Sequence, residues 1–400
     1  MDAMRRCWVM LALCAGARLA MAADTPSVVK AMAEEHADGL RPSALYRPRP
    51  QDLKGEPGSL IRSETFSGYH LEGARATRFL YRSRSQDDHP TVASAVVIVP
   101  AGTPPAGGWP YLVWAHGTTG VARQCAPTLS AEVGYYTTVL AKEGQARKFA
   151  VVAIDYSGLG AGGRHEYLWK TSNAKDVVYA APAARLAEPA LAPAWVAIGH
   201  SQGGQAVWGA AELQATLHDP SYRGAVALAP AIDSEPLVNS AASTAGETFY
   251  PVYVAYGIKS VRPEFDVATM LLPTGLEAYQ RLTTRGCWGL AHALFEPVKA
   301  GSVVREGWTH SPAVQKFLAE NRIGDKAIAA PIFIGSGDVD TAVPARIVSD
   351  RTKALCGLGA QVQYKMYAGD HESMMRSSYE DQMRWITDRF AGRPAPKACP

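Results

Sequence analysis

Hydrophobic positions in this chain fall into short runs separated by polar and glycine- or proline-containing stretches. The runs Leu60 to Phe66, Thr77 to Arg82 and Val92 to Pro100 follow one another with no long helical pattern between them. They predict strands in an antiparallel opening. From Tyr111 onward, apolar runs alternate with segments of helical spacing, which predicts a parallel sheet in an α/β fold. These runs are Tyr111 to Ala115, Phe149 to Ile154, Trp195 to Ile198, Ala225 to Ala229, Pro331 to Ile334 and Val362 to Tyr367. Most are continuously apolar, as strands covered on both faces must be. About a hundred residues separate Ala229 from Pro331, where a crossover between parallel strands needs only about a dozen. Pro236, Pro251, Pro263 and Pro273 divide that stretch into short pieces such as Val267 to Leu272 and Trp288 to Phe295. The pattern predicts a mainly helical cap, residues 234–328, inserted between sheet-domain segments 23–233 and 329–400. No linker-like composition sets the insertion apart as a separate domain.

Composition adds two constraints. Of 400 residues, 47% are hydrophobic and 19% charged, which excludes a disordered chain. Arg5 and Arg6 precede an apolar run from Cys7 to Ala17, and Ala20-Met21-Ala22 fits a cleavage site. A signal peptide, 1–22, and export to the periplasm or the medium are expected. The apolar run is too short to cross a bilayer as a helix, which needs about 20 residues, so no transmembrane segment is expected. Without the leader the formal charge falls from +3 to +1, leaving no electrostatic footprint for nucleic acid. Cys125, Cys287, Cys356 and Cys399 remain, without metal-ligand spacing, so no metal site is expected. An even count in an exported chain favours two disulfides, in any of three pairings.

The chemistry centres on Gly199-His200-Ser201-Gln202-Gly203, a G-x-S-x-G match between an apolar strand and a small-residue helix. Such a turn needs glycines on either side of a serine held at strained backbone angles, and makes Ser201 a candidate nucleophile. A serine hydroxyl needs a base, and in this arrangement an acid and then a histidine follow in chain order. His371, just past the last strand, is the candidate base. His292 and His310 fall in the cap, and His200 is expected to point away from the site. Asp338 and Asp340 both follow the strand Pro331 to Ile334; Asp340 fits better, three residues before Val343-Pro344. The oxyanion hole needs two backbone N–H donors. Gln202 is the first candidate, and Thr118, in His116-Gly117-Thr118-Thr119-Gly120, the second. A rival motif, Gly158-Leu159-Gly160-Ala161-Gly162-Gly163, matches the dinucleotide fingerprint G-x-G-x-x-G. It lies in mid-sheet and opens no amphipathic helix, so it reads as a flexible loop rimming the site, and no cofactor is expected.

Trp114 to Gly120, Gly199 to Ala206, Asp340 to Pro344 and Asp370-His371 together resemble the secretory lipase family, from about Leu40 to the end of the chain. That family includes the lipase A type of yeasts and many exported bacterial hydrolases. The resemblance implies an α/β-hydrolase core with an inserted helical cap, acting on carboxylic esters without a cofactor. It also implies the disulfides Cys125–Cys287 and Cys356–Cys399. The expected function is that of a secreted serine esterase or lipase using Ser201, Asp340 and His371, monomeric, on a small-molecule or lipid ester. The alternatives are a serine peptidase on the same fold and a non-catalytic binding protein. The cap carries Phe249, Tyr250, Tyr253, Tyr256, Phe265, Met270, Leu271, Leu272, Trp288 and Phe295. These groups either line an apolar acyl pocket or only pack the cap onto the core.

Overall fold

The computed structural model of the protein describes residues 24–400, so the expected leader, 1–22, lies outside the described residues. Each predicted apolar run is a strand. In chain order they are β1 (Leu60–Thr65), β2 (Ala74–Arg84), β3 (Pro90–Pro100), β4 (Trp109–Ala115), β5 (Ala150–Ile154), β6 (Leu191–His200), β7 (Tyr222–Leu228), β8 (Ile332–Gly337) and β9 (Val362–Tyr367). They form one sheet in the order β1-β2-β3-β5-β4-β6-β7-β8-β9. β1, β2, β3 and β5 pair antiparallel, and every pair from β5–β4 to β8–β9 is parallel.

Helices supply the cover that a parallel sheet needs on both faces. α1 (Pro26–Asp38) precedes the sheet, α2 (Tyr135–Arg147) joins β4 to β5, α3 (Lys170–Ala187) joins β5 to β6, and α4 (Gln202–Leu217) joins β6 to β7. Alternation along β4 divides the core. Tyr111, Val113 and Ala115 face α3 and α4, whereas Leu112 and Trp114 face the other way, toward residues of α2 and the chain's last helix. The connection from β7 to β8 carries α5 (Ser234–Ser243), α6 (Tyr250–Val261), α7 (Pro273–Thr284), α8 (Trp288–Phe295) and α9 (Pro312–Glu320). α10 (Ala345–Gly357) then precedes β9, and α11 (Ser373–Ser377) and α12 (Tyr379–Phe390) follow it.

The helical insertion has no core of its own. Phe249, Tyr253, Phe265, Met270, Leu271 and Phe295 join the same buried cluster as Tyr111 and Trp195 of the sheet. α1 fastens it from outside: Val28 and Ala31 pack on Leu290 and Ala293. Glu35 accepts hydrogen bonds from the Cys287 and Leu290 N–H groups at the start of α8 (3.0 and 2.7 Å). That carboxylate satisfies donors a helix N-terminus otherwise leaves open. Cys125–Cys287 and Cys356–Cys399 are disulfides, the pairing that the family resemblance implies.

Candidate active site

Ser201 sits between β6 and α4 with φ 56° and ψ −116°, in the left-handed half of backbone space where a side chain is strained. Such strain costs about 1–3 kcal/mol and persists only where neighbours hold it. β7 and its exit hold it here. The Ser201 N–H donates to the Leu228 carbonyl, and the Ala231 N–H donates to the Ser201 carbonyl, both at 2.9 Å. The flanking glycines are required by close approach: a Cβ on Gly203 would lie 1.8 Å from the Ala115 carbonyl oxygen, and one on Gly199 2.3 Å from the Gly203 oxygen.

His371 lies in the loop between β9 and α11, and its Nδ1–H donates to Asp340 Oδ2 at 2.7 Å. Asp340 is buried, and its other oxygen accepts from the Val343 N–H at 2.7 Å. Asp338 is exposed and takes a different part, accepting the Gly369 N–H at 2.8 Å and so bracing the loop that carries His371. Burial pulls the His371 ring toward neutrality, but the bond to Asp340 and the charges of Asp340, Glu372 and Glu247 outweigh it and raise its pKa above 6.5. Ser201 and His371 line one small apolar cavity of about 30 Å³, walled by Tyr167 and Val343 on the sheet side and by Leu237, Val238, Tyr250 and Val254 of the cap. Its volume admits a few waters at most.

Gln202 opens α4 directly behind the serine and is fully buried. Its side-chain N–H₂ donates to Asn173 Oδ1 (3.1 Å) and to His165 Nε2 (2.9 Å). The His165 tautomer follows from its other bond, since Nδ1–H must donate to the Ser157 carbonyl (3.2 Å). Burial holds that ring neutral, its pKa lowered to about 3. The loop after β4 is tied down on three sides. Tyr156 OH donates to the His116 carbonyl (2.8 Å), Thr118 Oγ1 and Tyr167 OH share a hydrogen bond (2.8 Å), and the Trp288 N–H of the cap donates to the Thr119 carbonyl (2.9 Å). The Cys125–Cys287 disulfide joins the same two segments.

Two expectations need correction, and of the two alternatives left open for the cap's apolar groups one is favoured. His200 does not point away: its ring centroid is 4.5 Å from that of His371, and its Nε2–H donates to the His371 carbonyl at 2.9 Å. Burial keeps this ring neutral, so it supports the loop without adding charge. The run Gly158 to Gly163 does not rim the site as a flexible loop. Leu159 and Ala161 are fully buried, and a Cβ on Gly158 would lie 2.1 Å from the His165 nitrogen. The glycines let the chain double back and deliver His165 beneath Gln202. Finally, of the large apolar groups of the cap singled out above, only Tyr250 lines the cavity; most of the others pack the cap onto the sheet. Tyr167, His165 and Asn173 carry no local signal, because only the fold brings them under the serine. His200, His371 and Glu372 also come close enough to share an ion. His200 Nε2 and His371 Nδ1 are already engaged, however, and the remaining His371 nitrogen is the one a proton transfer would use.

The secretory lipase family profile matches residues 282–398, a stretch that contains Asp340 and His371 but not Ser201. No curated protein matches the chain by sequence. Among solved structures, the chain is similar to Candida antarctica lipase A, at 16% identity and a TM-score of 0.77, over 94% of this chain and 89% of that one. The same lipase in its closed state aligns with a TM-score of 0.76 at 17% identity, over 89% and 87%. The rice cell wall degrading esterase LipA from Xanthomonas oryzae aligns at 18% identity and a TM-score of 0.62, over 84% and 97%. The fold is that of the α/β-hydrolases, with a helical cap between β7 and β8, as the sequence predicts.

Proposed function

We propose that this chain is an exported serine hydrolase that cleaves carboxylic esters. Ser201 Oγ attacks the ester carbonyl while His371 Nε2 takes its proton, and the imidazolium then protonates the departing alcohol. Water, deprotonated by the same ring, releases the acid from the acyl-enzyme. Asp340 keeps Nδ1–H on the far side of the ring and stabilises the imidazolium. The backbone N–H groups of Gln202 and Thr118 are the proposed oxyanion donors, each of such groups being worth ~3 kcal/mol in the transition state.

The observation that carries the reading is the His371–Asp340 bond at the wall of a cavity that it shares with a serine held at φ 56°. Likeness to lipases and an esterase supports the ester class, and the cavity's apolar walls suit uncharged acyl groups. A fluorophosphonate probe tests the assignment: labelling should be complete in the wild-type chain and absent in Ser201→Ala. Labelling that survives the substitution sinks it. A substrate series then separates the classes, with ester turnover expected across short to medium acyl chains and peptides untouched. Export is tested by intact mass of the secreted protein, where a start near Ala23 is expected and a retained Met1 is not.

A further inference from the structure

A larger cavity, about 280 Å³, opens at the opposite end of the sheet from Ser201. It lies between α3, the end of α4 and the first residues of β6. Trp195 on its wall is six positions before Ser201 along β6, roughly 20 Å away at strand rise. Its size is close to the ~300 Å³ at which small-molecule pockets begin. Tyr111, Trp195 and Tyr179 give it aromatic walls, with Pro182 and Pro193 beside them.

Its polar groups are unevenly matched. Gln214 is 2% exposed, and its Oε1 accepts the Asp219 N–H at 3.2 Å, which fixes the amide's orientation. The Gln214 N–H₂ has no hydrogen-bond partner among the described residues and lies at the cavity wall. Arg185 is exposed at the same cavity and forms no ion pair among the described residues. The wall carboxylate, Asp219, is engaged by the protein, accepting from Trp195 Nε1 and the Ser221 N–H, each at 2.8 Å. Each Asp219 oxygen accepts one of these bonds, and the donors without a partner among the described residues are the Gln214 amide and the Arg185 guanidinium, beside an aromatic floor.

We propose that this cavity is a second binding site, separate from Ser201, for a small carboxylic acid with an apolar or aromatic body. The carboxylate would take the Arg185 guanidinium and the Gln214 amide, and the body would lie against Trp195 and Tyr111. Guanidinium forks match carboxylates in shape as well as charge. The acid binds unchanged, and no bond is made or broken.

Calorimetric titration of the full chain with 3-phenylpropanoate, beside the matched 3-phenylpropanol, tests this. One acid per chain should bind, with the alcohol at least tenfold weaker. Arg185→Ala and Gln214→Glu should each weaken the acid at least fivefold and leave ester turnover unchanged. Gln214→Glu keeps the acceptor for Asp219 and reverses the recognition at one group, and Arg185 is exposed, so its removal does not threaten the fold. The titration is repeated after fluorophosphonate treatment, and on Ser201→Ala in case no label is taken up, so failure of the serine assignment is read separately. Absence of acid binding, equal affinity for acid and alcohol, binding that survives both substitutions, or binding abolished by a label on Ser201 would each overturn the proposal.

Discussion

Asp338 and Asp340 stand two positions apart and do different work. Asp340 holds the His371 ring, while Asp338 holds only a backbone N–H of the loop below it. Asp340→Asn should therefore lower kcat on a p-nitrophenyl ester by about 10⁴, the order seen when a triad acid loses its charge and the wrong tautomer is favoured. Asp338→Asn keeps an oxygen for Gly369 and should cost less than tenfold. A reversed ranking would exchange their roles. The same bond sets the pH response. In the proposed mechanism His371 must be neutral to accept the serine proton, so the acid limb of kcat/KM should have its midpoint above 6.5, the ordinary histidine value. Sequence made these three side chains legible because they sit in turns with fixed grammar. The side-chain direction of His200 was not legible, since it depends on where a loop 171 residues later comes to rest.

Strands and helices carry the next level of control. The two disulfides close loops of sequence separation 162 and 43, worth up to about 5 and 4 kcal/mol in the chain-entropy model. Their functional weight should differ far more. Replacing both Cys125 and Cys287 by Ser leaves the segment after β4 tied to α8 by the Trp288–Thr119 hydrogen bond but without the covalent tie, so kcat should fall at least tenfold at temperatures where the chain remains folded. The Cys356/Cys399 double replacement should lower Tm and leave kcat within twofold. Calorimetry and ester kinetics on the same preparations separate the two effects. Tyr250 walls the cavity beside Ser201 from the cap, its hydroxyl accepting from Trp288 Nε1–H at 3.2 Å. Tyr250→Ala should shift preference toward longer acyl chains, measured as a severalfold rise in kcat/KM for octanoate over acetate esters. Unchanged preference would place the acyl path elsewhere. Strand positions were readable because burial on both faces leaves an unbroken apolar run. The contacts of the cap were not, because a large apolar side chain has the same signature whether it meets a substrate or the sheet.

Across the molecule, buried ionisable groups pull stability in opposite directions with pH. His116 and His165 are held neutral by burial, with pKa values lowered to about 4 and about 3, and burial lowers His200 well below 6.5 as well. Unfolding below 6.5 lets these rings take up protons, so stability rises with pH up to that point. Asp155 and Asp176, buried among hydroxyl donors, are raised to about 6 and about 7, and His371 is raised as well. Each of these binds a proton more tightly folded than unfolded, so its contribution is lost as pH climbs through the folded value. Tm should therefore peak near about pH 6–7, while activity continues to rise above it as His371 loses its proton. A Tm that climbs steadily to pH 9 would contradict this balance. A last consequence concerns time. Glu35 of α1 caps α8 across 252 and 255 positions of sequence, so this helix has no partner until most of the chain exists. At ordinary synthesis rates that wait is on the order of tens of seconds. Closing so long a loop is slow, and meanwhile Val28 and Ala31 stay uncovered. Docking of α1 is thus among the late steps of folding, and a chain interrupted before Cys287 would lack the Leu290 and Ala293 that cover Val28 and Ala31.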